Sequence, residues 1–163
     1  MEREFTQLLN AHPGLLYKVC RLYAPTEADR QDLFQEIVLQ LWRAYPKFRG
    51  EAKPGTWLYR VALNTAISNF RTARRRQPAE ALSEAMLQQL PDLTDSVADE
   101  RHTQLYAAIA QLPAVEKALI TLYLDDFSYA EIGGILGLTA SHVGVKLLRT
   151  RARLAVLIKN TIH

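Results

Sequence analysis

Residues 128–154, SYAEIGGILGLTASHVGVKLLRTRARL, constrain the fold most strongly because they predict two helices joined by a tight turn. Ser128 and Glu131 have the Ser-x-x-Glu spacing of a capping box, which marks the start of a helix. Gly137 ends that helix, since glycine is favoured where a side chain with a Cβ is often strained. Thr139 is placed to cap a second helix. The stretch therefore predicts a helix-turn-helix.

The second of these helices has one apolar face and one polar, basic face. The residues expected to face inward recur every three or four positions, as in a packed face, and are Val143, Leu147, Thr150, Leu154 and Leu157. The other side carries Ser141, His142, Lys146, Arg149 and Arg153. A short basic helix with a packed back fits the major groove of DNA. An ordinary helical hairpin with a solvated basic face has the same pattern and is the alternative.

Composition excludes several other classes of protein. The chain has 163 residues, 48% of them apolar, so folded cores are expected rather than global disorder. Cys20 is the single cysteine and the four histidines are scattered, which argues against a disulfide, a metal site or any cofactor. No apolar run of membrane-spanning length occurs, and the charged N-terminus lacks a signal-peptide core. We expect no membrane span and a cytoplasmic protein.

Charge is segregated along the chain. Residues 42–76 have a net charge of +8 and residues 132–163 a net charge of +5. Residues 1–41 and 77–131 are acidic, with net charges of −2 and −8. Two separate cationic blocks are typical of a protein that touches a polyanion at two places, because each neutralised phosphate releases counterions. Solvated charged surfaces would give the same blocks.

The periodicity predicts an all-α fold of two small helical domains joined by a flexible linker. The first domain covers residues 1–74, the linker residues 75–100, and the second domain residues 101–163. The linker assignment follows from its Ala, Gln, Pro, Asp and Ser content and its weak periodicity. The second domain is expected to have four helices, with Pro113 separating the first two and the helix-turn-helix following.

Two helices of the first domain carry polar stripes. One presents acidic and amide side chains three or four residues apart, at Asp32, Gln35, Glu36 and Gln40. The next, predicted over residues 56–74, has a polar face of Arg60, Asn64, Ser68 and Arg71, opposite Leu58, Val61, Ala62, Thr65 and Phe70. Asn and Arg can bind base edges or phosphate. Aromatics beside cations suit unstacked bases, and the candidates are Tyr45, Phe48, Trp57 and Tyr59, although Phe48 and Trp57 could equally be core.

These residues resemble a known family. The string from Asp32 to Arg76, with DLFQE, LWR, FRG and TWLYRVALNTA, looks like region two of bacterial extracytoplasmic-function (ECF) sigma factors. The string from Leu112 to Leu154 is similar to region four of the same family. Together the two matches cover roughly two thirds of the chain in the expected order; the helix-turn-helix alone would be generic.

The resemblance implies a promoter-specificity subunit of RNA polymerase without catalysis of its own. Core polymerase would bind the stripe of Asp32, Gln35 and Glu36. The minus-10 promoter element would be melted and read by Phe48, Trp57, Arg60, Asn64, Ser68 and Arg71. The minus-35 element would be read as duplex by Thr139, Ser141, His142, Lys146, Arg149 and Arg153. An anti-sigma factor usually holds members of this family inactive.

The sequence departs from the family pattern in two places. Pro54, followed by Gly55, stands where an aromatic or apolar residue usually occurs two places before the threonine of the Thr-Trp pair, and Gly144 stands where Lys or Arg is common. Glycine inside a helix costs about 1 kcal/mol relative to alanine.

A helix-turn-helix regulator that acts without polymerase is the alternative function. A helical enzyme is a third class, against which no nucleophile–base pair or phosphate-binding glycine loop is apparent.

Overall fold

The computed structural model describes residues 1–71 and 100–162, and these fall into two compact helical units. The first unit contains the described residues up to Arg71 and the second those from Glu100 onward. Neither described range contains a β-strand, which confirms the expected all-α fold. The predicted linker over residues 75–100 falls almost wholly on positions 72–99, outside the described residues.

The described part of the first unit has four α-helices. They are α1 (Glu2–Asn10), α2 (Pro13–Tyr23), α3 (Glu27–Ala44) and α4 (Pro54–Arg71), with a short 3-10 helix at Tyr45–Lys47 after α3. The break between α1 and α2 comes at His12, because Pro13 is favourable in the first turn of a helix but not inside one. Thr26 caps α3 by accepting a hydrogen bond from the Asp29 backbone N–H at 3.1 Å.

Helices α2, α3 and α4 pack against one another, and α1 supplies Phe5 and Leu9 to the same core. The largest side chains that are fully buried in this unit are Phe5, Leu9, Ile37, Leu41, Leu58 and Leu63. Trp42 and Trp57 are half-buried. Burial raises the pKa of the Cys20 thiol to about 12, so this cysteine is an inert packing residue.

The face of α4 that packs inward is rotated relative to the sequence prediction. Leu58 and Ala62 are buried as expected, but Val61 and Thr65 are half-buried. Their places in the core are taken by Tyr59, Leu63 and Ala66. Helices α2 and α3 both pack against α4, and the arc that they bury is displaced around the helix from the predicted stripe.

The described part of the second unit has four α-helices, confirming the expected four-helix domain. They are α5 (Glu100–Ala110), α6 (Ala114–Leu124), α7 (Tyr129–Leu136) and α8 (Ala140–Ile162). Helix α8 packs against all three others, and its buried residues include Val143, Leu147, Thr150 and Leu154. Leu157 is half-buried rather than buried. Within the two described ranges, no helix has the length and apolar content needed to cross a bilayer.

Candidate functional site

The turn between α7 and α8 is built by local hydrogen bonds that the sequence predicted. The Glu131 backbone N–H donates to Ser128 Oγ at 3.1 Å, and the Ser128 backbone N–H donates to Glu131 Oε1 at 3.0 Å. These reciprocal bonds are the predicted capping box. Gly137 has φ 75°, the left-handed conformation that favours glycine at a helix C-terminus. The helix-turn-helix is therefore confirmed.

Gly133 contributes to this turn in a way that sequence reasoning missed. Its carbonyl oxygen accepts hydrogen bonds from the backbone N–H groups of Gly137 (2.8 Å) and Leu138 (2.9 Å). A Cβ on Gly133 would collide with the backbone carbonyl of Leu138. A glycine is thus needed one turn before the chain reverses. The signal available in the sequence was the Gly133-Gly134 pair inside a helix, where glycine is otherwise unfavourable.

Thr139 starts α8, as predicted, because its Oγ1 accepts a hydrogen bond from the His142 backbone N–H at 3.1 Å. The first turns of the helix then present a polar face to solvent. Ser141, His142 and Arg149 are exposed, and Lys146 is half-buried. Val145 and Leu148 are exposed beside them, with 51% and 70% of their surface accessible, and the sequence analysis assigned neither a role.

Two arginines of α8 are engaged with α6. Arg153 Nη1 donates to Glu116 Oε2 at 2.7 Å, and the Arg151 guanidinium lies 5.2 Å from the centre of the Tyr123 ring. The side chains of Arg153 and Glu116 are 53% and 19% exposed, so water reaches the ion pair. A contact between Arg153 and DNA phosphate would therefore require Arg153 to exchange one anionic partner for another.

Helix α8 continues without interruption through Gly144. A Cβ at this position would lie 3.4 Å from the ring of Tyr129, the first residue of α7. The glycine therefore lets the Tyr129 ring approach the helix backbone closely, and it does not distort the helix.

The polar face predicted for α4 is exposed. Arg60, Asn64 and Ser68 all lie on the solvent side, one turn apart. Arg71 is the last residue of α4, and its side chain lies outside the described part of the structure. Tyr59 is only 5% exposed. The expectation that Tyr59 is an aromatic available to bases is wrong, because α4 turns this ring into the core.

An aromatic cluster adjoins the N-terminal end of α4. The rings of Phe48 and Trp57 are stacked, with centroids 4.6 Å apart and an interplanar angle of 19°. Tyr45 lies 6.3 Å from Trp57, and Phe5 in turn lies 5.3 Å from Tyr45. Phe48 and Trp57 are both half-buried, so each is anchored by the core and still presents surface to solvent.

The loop before α4 holds the other departure from the expected pattern. Pro54 is the first residue of α4, a position where proline is favourable. A Cβ on Gly55 would lie 3.4 Å from the His12 ring, so the end of the loop packs against the break between α1 and α2.

The acidic stripe of α3 faces solvent. Asp32 and Gln35 are exposed and Glu36 is half-buried. Gln40 Nε2 donates to Glu36 Oε1 at 3.0 Å, which fixes the orientation of that carboxylate on the helix surface. Among residues 1–71 and 100–162, no group of three His, Cys, Asp or Glu side chains is arranged to hold a metal ion.

Comparison with known proteins identifies both units independently. Residues 8–76 match the family model for sigma-70 region 2, and residues 102–154 match the model for sigma-70 region 4. The chain is 28% identical over 156 residues to the ECF RNA polymerase sigma factor SigM of Mycobacterium tuberculosis, covering 94% of this chain and 76% of that protein.

Two solved structures have a similar fold. One is CnrH in complex with the cytosolic domain of CnrY, with a TM-score of 0.66 and 24% identity over 98% of this chain and 90% of that one. The other is the sigma factor RpoE of Bartonella quintana in complex with the anti-sigma factor NepR, with a TM-score of 0.63 and 20% identity. That alignment covers 96% of this chain and 95% of the other.

Proposed function

We propose a mechanism from one premise: this chain belongs to the sigma-70 family and, within it, to the ECF sigma factors. It is an alternative sigma factor that directs transcription together with RNA polymerase. The observation that carries this conclusion is the match to both DNA-binding regions, in order, within 163 residues. The chain has, in this proposal, no catalytic reaction of its own and acts in the cytoplasm.

We assign core polymerase binding to the stripe of Asp32, Gln35 and Glu36. Support comes from the exposure of Asp32 and Gln35 and from the Gln40 hydrogen bond that holds Glu36 on the same face. Carboxylates that are held in place at a surface help to determine which partner binds and in which orientation. Their contribution to affinity is largest where the partner removes water from them.

We assign the minus-10 element to the exposed face of α4 and to the aromatic cluster beside it. The residues are Phe48, Trp57, Arg60, Asn64, Ser68 and Arg71. The Phe48–Trp57 stack is a preformed aromatic surface, and a base that leaves the duplex can stack on such a surface. Asn64 lies between Arg60 and Ser68 on the exposed face, where its amide can bind a base edge while the arginines bind phosphate. Because Pro54 stands where the family usually has an aromatic or apolar residue, we expect the base pocket to differ in shape from that of other family members.

We assign the minus-35 element to α8 and to Thr139, the residue that caps it. The residues are Thr139, Ser141, His142, Lys146, Arg149 and Arg153. Thr139 Oγ1 accepts a backbone hydrogen bond, which leaves its hydroxyl proton free to donate to a phosphate. The first residues of α8 would contact base edges, and Arg149 and Arg153, farther along the helix, would contact phosphates.

In this proposal residues 1–74 and 101–163 act as separate domains, joined by a linker over residues 75–100.

An anti-sigma factor is the expected regulatory partner. The support is the similarity to RpoE, a sigma factor solved with the anti-sigma factor NepR. The competing function is a helix-turn-helix regulator that acts without polymerase. The acidic stripe distinguishes the two functions, because only a sigma factor needs it to bind core polymerase.

The experiment that tests the proposal is binding to core RNA polymerase. The unmodified chain should co-purify with core enzyme, and the double variant Asp32→Ala, Glu36→Ala should bind more weakly with an unchanged helical circular dichroism signal. Glu27→Gln is the control, since Glu27 is exposed on the same helix but lies on its opposite face, about 180° around the axis from Glu36. A chain that binds promoter DNA but not core polymerase would favour the competing function. Unchanged affinity in the double variant alone would remove the stripe from the interface.

A further inference from the structure

Helix α8 exposes apolar side chains on the face that we assign to DNA. Val145 is 51% exposed and Leu148 is 70% exposed. Val145 lies two residues from each of the buried residues Val143 and Leu147, which places it about 200° around the helix from the packed face. It is therefore at the centre of the solvent face.

Most neighbours of Val145 on this face are polar or cationic, and Leu148 is the apolar exception. Ser141, Val145 and Arg149 follow one another at intervals of four residues and form a single row along the helix. His142 and Lys146 lie along one side of that row, and Leu148 lies along the other. Hydrogen-bond donors therefore border Val145 along one side and at both ends of the row, on the part of the helix that a groove would cover.

Val145 contributes little to the stability of the folded state from this position. A β-branched residue loses rotamer freedom in a helix, and an exposed one does not recover that cost through packing. An alanine at this position would suit the isolated helix better. The side chain is accordingly better explained by a contact that forms on binding.

We propose that Val145 determines promoter specificity by packing against the C5-methyl group of a thymine in the minus-35 duplex. In the major groove the thymine methyl is the one apolar group on a base edge, and small apolar side chains on recognition helices contact it. A protein partner would explain an apolar patch equally well, but the donors around Val145 favour a polyanion. This inference rests on the proposed function of α8.

The test removes the two methyl-bearing groups separately and together. Holoenzyme is assembled from bacterial core RNA polymerase and the full chain, and promoter duplexes are selected from a random library. Each thymine of the minus-35 element is then replaced by deoxyuridine, which lacks only the C5-methyl group. Affinity is measured for the unmodified chain and for Val145→Ala. The control is Val156→Ala, a similarly exposed valine (59%) about three turns farther along the same helix.

One deoxyuridine replacement should weaken binding of the unmodified chain about fourfold, the factor expected for one buried methyl group. Val145→Ala should weaken binding to the thymine duplex similarly and should be insensitive to that replacement, while Val156→Ala should keep the full sensitivity. Thermal unfolding of Val145→Ala should occur at an unchanged or higher temperature.

The opposite outcomes are distinct. If Val145→Ala remains as sensitive to deoxyuridine as the unmodified chain, the thymine assignment is wrong and the proposed function stands. If Val145→Ala weakens binding to core polymerase instead, the patch is a protein surface and the assignment is again wrong. If the unmodified holoenzyme selects no sequence, the proposed function of α8 fails, and the inference fails with it.

Discussion

At the scale of single residues, the basic side chains of α8 differ in what they contact before any DNA is bound. Arg151 lies over the Tyr123 ring and Arg153 pairs with Glu116. Among the described residues, Arg149 is exposed and forms no ion pair with a carboxylate. Three arginines that look alike in the sequence therefore have different costs for binding phosphate, and only their packing against α6 distinguishes them.

The Arg153–Glu116 pair predicts an inhibitory effect of Glu116 on DNA binding. If Arg153 binds phosphate, Glu116→Gln should strengthen binding to promoter duplex, by up to about fivefold, because exposed ion pairs contribute about 0–1 kcal/mol. Arg153→Ala should weaken binding to all sequences alike and reduce the slope of log affinity against log salt by about one ion.

Asp126→Asn is the control for this prediction. It removes one negative charge from the same unit, and asparagine tolerates the φ of 65° found there. Equal gains from Glu116→Gln and Asp126→Asn would attribute the effect to net charge rather than to the ion pair.

Lys146 is predicted to read sequence rather than only attract DNA. Lys146→Ala should lose discrimination between promoters by roughly 1–3 kcal/mol if its ammonium group binds a guanine. The control is Lys159→Ala, which removes an exposed lysine from the last turn of the same helix. Competition between selected and scrambled duplexes measures the effect. A loss of affinity without a loss of selectivity would place Lys146 on the phosphates.

At the scale of the helix-turn-helix, the sequence was sufficient to predict those features of the structure that depend on local interactions. The capping box, the Thr139 cap and the left-handed Gly137 each depend on residues within four positions of one another, and all three are present. The burial of Tyr59 and the Glu116–Arg153 pair depend on contacts between different helices, which no periodicity encodes. The functional assignments to individual side chains remain predictions for the same reason, since they depend on partners outside the chain.

The two adjacent glycines of α7 should respond to substitution with opposite signs. Gly133→Ala should destabilise the unit by about 1–3 kcal/mol, because its Cβ would meet the Leu138 backbone carbonyl, which has to shift. Gly134→Ala should stabilise it by up to about 1 kcal/mol, since Gly134 is exposed with open space at its Cβ position. Thermal unfolding followed by circular dichroism measures both. Similar shifts for the two variants would show that the close approach at Leu138 does not constrain the turn.

At the scale of the whole molecule, the charge pattern and the two units are consistent with separate DNA-binding functions for the two units. One cationic block includes α4 and the loop before it, and the other is α8. Each block is adjacent to the residues that we assign to one promoter element. Changes in the first unit should therefore affect strand opening, and changes in α8 should affect recognition of the duplex.

Asn64→Ala tests this division. It should reduce opening of the minus-10 element more than it reduces overall promoter binding, because an amide on the exposed face of α4 can reach a base and not only a phosphate. Permanganate reactivity of unpaired thymines reports opening, and filter binding reports affinity. Asn10→Ala, the same substitution at an exposed position ending α1, is the control. A parallel loss of binding to nonspecific duplex would indicate a general electrostatic contribution instead.

Transcription in vitro from a random promoter library, with core RNA polymerase and the purified chain, tests the central claim most directly. We predict transcripts that depend on the chain and start at a fixed distance downstream of two shared sequence elements. Substitution of Lys146 should change the sequence preference at one element, and substitution of Asn64 should change the preference at the other. Transcription no greater than that of core enzyme alone, from a chain that is folded and binds DNA, would contradict the assignment of this protein as a sigma factor.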